Sequence, residues 1–136
     1  MAAGDVAVII ELLGNGGDPI RFTVADGNAI EKGELMKITD PRTITETTAD
    51  NDPFMGISAA EKVASDGSTS LAVYTHGIFD INCSAAVTVG ERVSVSGDNE
   101  VAKVAAADLL FSDVGIALET SAGADEIIAV LVGSGF

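Results

Sequence analysis

The chain has 136 residues, of which 47% are hydrophobic and 15 are glycine, so it is long enough for one ordinary domain, or two very small ones, with a real core. Its aromatic content is low, with no Trp, one Tyr and five Phe. Seven basic residues against 21 acidic ones give a formal charge of −14. This charge argues against nucleic acid or an anionic membrane as a partner, because both are bound by clustered Lys and Arg.

The first element in chain order is a leader, residues 1–21, which we expect to be an N-terminal arm or leader strand. It contains the apolar run GDVAVIIELL, followed by a glycine-rich bend at Gly14 to Gly17. Such a strand can add to the sheet of a neighbouring subunit, or it can pair with its own domain. Because no basic region precedes the apolar run, we predict no signal peptide. The candidate capsid or subunit contact residues are Val6, Val8, Ile9, Ile10, Leu12 and Leu13.

Short alternating runs separated by turn residues predict β-strands beyond the leader. Phe22 to Val24 and, more loosely, Leu35 to Ile38 alternate apolar with polar residues. This period of two is typical of antiparallel strands with one buried face. Turns are indicated at Asp26-Gly27-Asn28 and Lys32-Gly33, and each of the three prolines follows an aspartate in a predicted loop.

The chain repeats itself with a nearly constant spacing. AIEKGELMKI (Ala29 to Ile38) corresponds to AVTVGERVSV (Ala86 to Val95), and both segments contain a Gly-Glu pair. These matches predict two copies, residues 22–78 and 79–136, which pack on each other because a unit of this size usually cannot bury a core alone. The other matches are LAVYT (Leu71 to Thr75) with IAVLV (Ile128 to Val132), Phe22 with Phe79 and Phe136, and, with a spacing longer by two positions, MGISAAE (Met55 to Glu61) with VGIALET (Val114 to Thr120).

The second copy contains the clearest hairpin pattern. VSVSGDNEVAKV (Val93 to Val104) predicts two strands joined by a turn in which Gly97 and Asn99 accept a positive φ. Helical signal is limited to short turns at Ala59 to Ala64 and Ala105 to Phe111. We therefore predict an all-β fold, a small antiparallel β-barrel, β-tulip or sandwich, with one or two short helical turns. It is built from two pseudo-repeats of about 57 residues.

Residues capable of catalysis are few, and the sequence gives them no partners. His76 is the single histidine, and no nucleophile motif accompanies it. Cys83 is the single cysteine, so an internal disulfide is excluded, and we expect a small buried residue there. Glu34 and Glu91 are symmetric carboxylates, but each follows a turn glycine, where a charged residue commonly faces water. We predict no catalytic residues and no enzyme activity.

Cofactor and metal motifs are incomplete. Asp50-Asn51-Asp52 lacks the glycine and distal glutamate of a calcium loop, so we expect a solvated turn before Pro53. The glycines at 14–17 are not followed by the Lys-Ser/Thr of a phosphate-binding loop. Lys37 beside Met36 suggests a carrier-domain lysine, but it lies within a predicted strand and not at a turn tip. The sequence therefore predicts no metal, no cofactor and no small-molecule substrate.

Several segments resemble the capsid cement, or head decoration, proteins of tailed viruses. The resemblance covers about Leu71 to Val132 and extends loosely back to Phe22 through the repeat. Its elements are Ala86-Val87 with Gly90 to Val95, then Gly115-Ile116-Ala117, then Glu126 to Val132, and VYTHGIFDI (Val73 to Ile81) before the Gly-Glu motif.

This resemblance implies a structural virion protein that binds the outer surface of an assembled icosahedral capsid and stabilises it. It implies the major capsid protein as partner, a homotrimer, synthesis in the host cytoplasm and a final place on the virion. The family carries no catalytic residues. The alternative is a generic small acidic β-barrel binding or adaptor module without catalysis. The net charge of −14 suits a basic docking surface, and it equally suits a soluble protein with no such partner.

Overall fold

The computed structural model describes residues 6–11, 19–105 and 112–133, and within these ranges it contains eleven β-strands and no α-helix. The strands form two sheets, and each sheet closes into a barrel, so the predicted all-β fold is confirmed. The strands are β1 (Val8–Glu11), β2 (Ile20–Val24), β3 (Leu35–Asp40), β4 (Thr43–Glu46), β5 (Phe54–Ser58), β6 (Ser70–Tyr74), β7 (Gly77–Cys83), β8 (Arg92–Val95), β9 (Glu100–Lys103), β10 (Asp113–Ala117) and β11 (Ile127–Val132).

The two barrels have the same topology. The first is closed in the order β2-β4-β3-β5-β6, and the second in the order β7-β9-β8-β10-β11. Each barrel has one parallel pairing, β2 with β4 and β7 with β9, and its remaining neighbours are antiparallel. Five strands around a closed ring cannot alternate direction at every step, so one parallel pair is a geometric requirement.

The registers of the two barrels also correspond. Met36 lies opposite Gly56 in the first barrel, and Val93 lies opposite Gly115 in the second. The matching sequence blocks predict these same equivalences, Met36 with Val93 and Gly56 with Gly115. The agreement of register and topology supports an internal duplication.

Strand β2 departs from the predicted alignment of the copies. Phe22 lies opposite Leu71, and Ile81 lies opposite Ile128. Leu71 and Ile128 are equivalent in the matching blocks, so Phe22 corresponds to Ile81 and not to Phe79. The predicted equivalence of these two phenylalanines is wrong. A shift of two positions leaves the same strand face buried, which explains why alternation did not reveal it.

Two apolar clusters form the cores. The larger cluster fills the second barrel and extends into the junction, where it includes Leu35, Phe54 and Ile57 of the first barrel. Leu35 and its neighbour Met36 are both fully buried, because one packs toward the second barrel and the other lies in the first. The two copies therefore pack on each other as predicted. The core of the first barrel is Phe22, Val24, Ile30, Met36, Ile44, Leu71 and Val73.

Two glycines at equivalent positions allow strands to approach closely. A Cβ on Gly115 would overlap the carbonyl oxygen of Leu131. A Cβ on Gly56 would overlap the carbonyl oxygen of Tyr74, the residue equivalent to Leu131. The glycine of the Gly-Ile pair in each copy is thus required by strand packing.

The local predictions have mixed outcomes. The hairpin at Val93 to Val104 is confirmed, with Gly97 and Asn99 at φ values of 115° and 60°. The helical turn at Ala59 to Ala64 is wrong. Lys62 instead exchanges backbone hydrogen bonds with Ile30 at 2.9 and 2.7 Å, and these tertiary contacts outweigh a helix too short to stand alone. The other predicted helical turn lies outside the described residues after Ala105, as does Phe136.

Candidate docking surface

The leader forms the edge strand β1, which pairs antiparallel with β7 of the second barrel. Val8 lies opposite Asp80, and Ile9 lies opposite Phe79. Just before the strand, Ala7 donates its N–H to the carbonyl oxygen of Gly33 at 2.6 Å. The leader therefore pairs with its own chain and also contacts the first barrel.

Gly33 makes the contact with the leader possible. Its φ of +94° is one that glycine adopts without strain, and a Cβ there would overlap the carbonyl oxygen of Ala7. The equivalent Gly90 has a φ of +90° but open space around it. Both Gly-Glu turns thus require glycine for backbone conformation, and the first also requires it for packing.

The alternation of β1 divides the predicted contact residues between two faces. Val8 and Ile10 are 54% and 53% exposed. Ile9 packs against the larger core cluster and is only partly exposed. Leu12 and Leu13 lie outside the described residues. Of the predicted contact residues described on β1, Val8 and Ile10 are therefore the two whose side chains a partner can reach.

The side of β1 away from β7 is an open sheet edge in the described part of the chain. An open edge presents backbone N–H and C=O groups that can pair with a further strand. We call this edge, with the side chains of Val8 and Ile10, the β1 edge. Beside it lies a groove of about 360 Å³ lined by Val6, Ala7, Val8, Ile9, Lys32, Gly33, Ile57 and Ser58.

A second surface feature is an acidic cleft between the two barrels, with a volume of about 410 Å³. The backbone N–H of Leu35 donates to Oδ1 of Asn99 beside it, at 2.7 Å, and so connects the barrels. Five of the seven described lining residues carry a carboxylate, and none of the seven is Lys, Arg or His. The lining residues are Glu31, Glu34, Asn82, Asp98, Asn99, Glu100 and Asp125.

The two Gly-Glu carboxylates share a local role but differ in surroundings. The Glu91 carboxylate accepts a hydrogen bond from the Thr88 N–H at 2.7 Å, and the Glu34 carboxylate accepts one from the Glu31 N–H. However, Oε2 of Glu34 is buried and has no hydrogen-bond partner among the described residues. Burial, with a further contribution from the Glu46 carboxylate, raises the pKa of Glu34 to about 7. The expectation that both glutamates simply face water is therefore wrong for Glu34.

The single histidine and cysteine have structural surroundings. His76 is exposed, and its Nδ1 lies 3.0 Å from Oγ1 of Thr75. Its ring packs so closely on Gly133 that a Cβ there would overlap it. Cys83 is fully buried, as predicted, and burial raises the pKa of its thiol.

The predicted turn at Asp50 to Asp52 is confirmed. The Asp52 carboxylate accepts hydrogen bonds from the N–H groups of Thr48 and Ala49, at 2.8 and 2.9 Å, and lies 3.2 Å from the Lys37 ammonium. Within residues 6–11, 19–105 and 112–133, no group of three or more His, Cys, Asp or Glu side chains could hold a metal ion. No helix in the same ranges has the length and apolar character needed to cross a membrane.

The two five-stranded barrels and the apolar edge strand β1 place the protein in the class of small all-β proteins built from two barrels. Residues 14–133 match the family described as phage cement protein. The chain therefore belongs to the phage cement protein family, and it is a structural protein of the phage capsid, located in the virion.

A solved structure shares the fold. It is the crystal structure of the head fiber gp8.5 N base in bacteriophage phi29, which superimposes with a TM-score of 0.56 and 12% sequence identity. The similarity covers 84% of this chain and 92% of that chain. No curated protein matches the sequence.

The acidic cleft is the feature that sequence reasoning missed. Its residues come from both copies, and only the packing of one barrel on the other brings them together. The one local signal is Asp98-Asn99-Glu100, which by itself predicts no more than a hairpin turn.

Proposed function

We propose that this protein binds the outer surface of an assembled icosahedral capsid and stabilises it, with the major capsid protein as its partner. Membership in the phage cement family is the observation that carries the proposal, and it favours this role over a generic binding module of cellular origin. A cement acts by burying surface against shell subunits, so that separating them costs more free energy. The charge of −14 would draw the protein toward a basic surface of the shell.

The β1 edge is the proposed contact with the capsid. It combines unpaired backbone groups with two exposed apolar side chains, and strand addition uses both kinds of interaction. Of the six leader residues predicted as contacts, Val8 and Ile10 are the described ones whose side chains are most exposed. Ile9 is already committed to the core of its own barrel.

Paired double variants test the proposed contact. Val8→Asp with Ile10→Asp places two charges on the β1 edge. The matched control, Val63→Asp with Val89→Asp, adds the same charge at residues 69% and 55% exposed on loops outside β1. In co-sedimentation with undecorated capsids, we expect the β1 variant to bind about tenfold more weakly or worse, because each substitution would bury an unpaired carboxylate in the contact. If the two variants bound equally well and both had wild-type circular dichroism, the β1 edge would not be the contact with the capsid.

We also propose a homotrimer, on the resemblance to cement proteins that occupy threefold positions. Native mass spectrometry of the full chain at micromolar concentration is expected to show three times the mass of one chain. A monomer that binds capsids would contradict the trimer while leaving the capsid contact intact.

A further inference from the structure

The junction between the barrels combines an apolar contact with a set of buried hydrogen bonds. Leu35 is fully buried in the larger core cluster, and its N–H donates to Oδ1 of Asn99. The N–H of Asn99 in turn donates to Oγ1 of Thr47 at 3.3 Å. Through these two hydrogen bonds, Asn99 of the second barrel is linked to Leu35 and Thr47 of the first.

Glu34 lies next to this connection, directly before Leu35 in the chain. Its Oε2 is buried without a hydrogen-bond partner among the described residues, so an ionised carboxylate there is poorly solvated. The charged groups that act on the Glu34 carboxyl are all carboxylates: Glu31 on its own turn, Glu46 on β4 and Asp98 in the β8–β9 turn. Glu100 and Asp125 lie further along the same cleft.

We propose that the junction is a proton-dependent joint, closed when Glu34 is protonated and loosened when Glu34 is ionised. Ionisation places a charge on a carboxylate that has one buried oxygen and faces other carboxylates from both barrels. The structure can relieve the repulsion by widening the acidic cleft, which strains or opens the hydrogen bond between Leu35 and Asn99. A protonated Glu34 adds no charge and leaves the cleft closed.

The direction of the pH effect follows from the pKa. In the unfolded chain Glu34 ionises near its ordinary value of 4.5, whereas in the folded protein its pKa is about 7. The folded protein therefore binds more protons between these values, and the closed junction loses stability as the pH rises through this window. The contribution is fully present below about pH 4.5 and is lost above about pH 7.

The duplication provides a matched control for the proposal. Glu91 occupies the same position in the second copy and accepts the same kind of turn hydrogen bond, but it does not line the acidic cleft. Glu34→Gln and Glu91→Gln each remove one negative charge from an equivalent turn. Only the first removes the titrating group from the junction.

Two NMR measurements on the full chain test the joint. The first is the titration of the Glu34 side-chain carboxyl carbon, for which we expect a midpoint near 7. The second is hydrogen exchange of the Leu35 amide, corrected for the intrinsic pH dependence of exchange. In the wild type, the protection of this amide should fall at least about threefold from pH 5 to pH 8. This change is smaller than the pKa shift of Glu34 alone would give, because solvent screens the charge of a partly exposed carboxylate. Protection should stay constant in Glu34→Gln and fall as in the wild type in Glu91→Gln.

Three results would overturn the proposal: a Glu34 midpoint below about 5, constant protection of Leu35 in the wild type, or an unchanged fall in Glu34→Gln. Should Glu34→Gln fail to fold, Asp98→Asn and Glu46→Gln each remove a carboxylate that faces Glu34. In either variant, the carboxyl titration and the Leu35 protection curve should move together to lower pH. A shift in only one of these two curves would contradict the coupling between Glu34 ionisation and the hydrogen bond of Leu35.

Discussion

At the scale of single residues, glycines explain the sequence blocks that recur. Gly33 and Gly90 hold turns at φ values of 94° and 90°, and Gly56 and Gly115 remove the side chain where two strands approach closely. The turn role was predictable because a Gly-Glu pair before an alternating run is a local signal. The strand role was not, because the obstructing carbonyl oxygen belongs to a strand distant in sequence.

Gly115→Ala is predicted to destabilise the protein strongly. The added methyl group would overlap the Leu131 carbonyl oxygen, so β10 and β11 must separate, at a cost of about 3 kcal/mol or more. Urea unfolding followed by circular dichroism measures this cost. Gly123→Ala is the control, since nothing lies within 4 Å of the position, and it should change stability by less than about 0.5 kcal/mol. Equal stabilities of the two variants would show that β10 and β11 are not in such close contact.

At the scale of elements, the strands were more predictable than their partners. Alternation at Phe22 to Val24 and at Val93 to Val104 identified strands that the structure contains as β2, β8 and β9. Alternation reports which face is buried, but it does not report which strand lies alongside. For this reason the parallel closure of each barrel did not follow from the sequence. Nor did the pairing of β1 with β7, because the sequence is compatible with pairing of the leader either to a neighbouring subunit or to its own domain.

The pairing of β1 with its own barrel makes a prediction about two adjacent residues. Ile9→Ala should lower the free energy of unfolding by about 2 kcal/mol, because Ile9 packs against the larger core cluster. Val8→Ala should change it by less than about 0.5 kcal/mol, because Val8 is exposed. Chemical denaturation of both variants checks the difference. If neither substitution altered stability, β1 would be a detached arm in solution.

At the scale of the whole molecule, the sequence predicted the duplication but not the way in which the copies divide the core. Each copy closes its own barrel, while Leu35, Phe54 and Ile57 of the first barrel join the larger core cluster. In the sequence, this arrangement corresponds to hydrophobic residues on both faces of β3. The acidic cleft lies at the same junction and depends on both copies, so the sequence of one copy alone could not identify it.

The proposed stabilisation of the capsid by the whole protein is the central claim, and the disruption temperature of undecorated shells tests it most directly. Calorimetry of shells titrated with the protein should show saturation at a fixed number of copies per shell. The account predicts a higher disruption temperature at saturation than for bare shells, because the protein binds the intact lattice in preference to separated subunits. Saturable binding with an unchanged disruption temperature, or no binding, would contradict it.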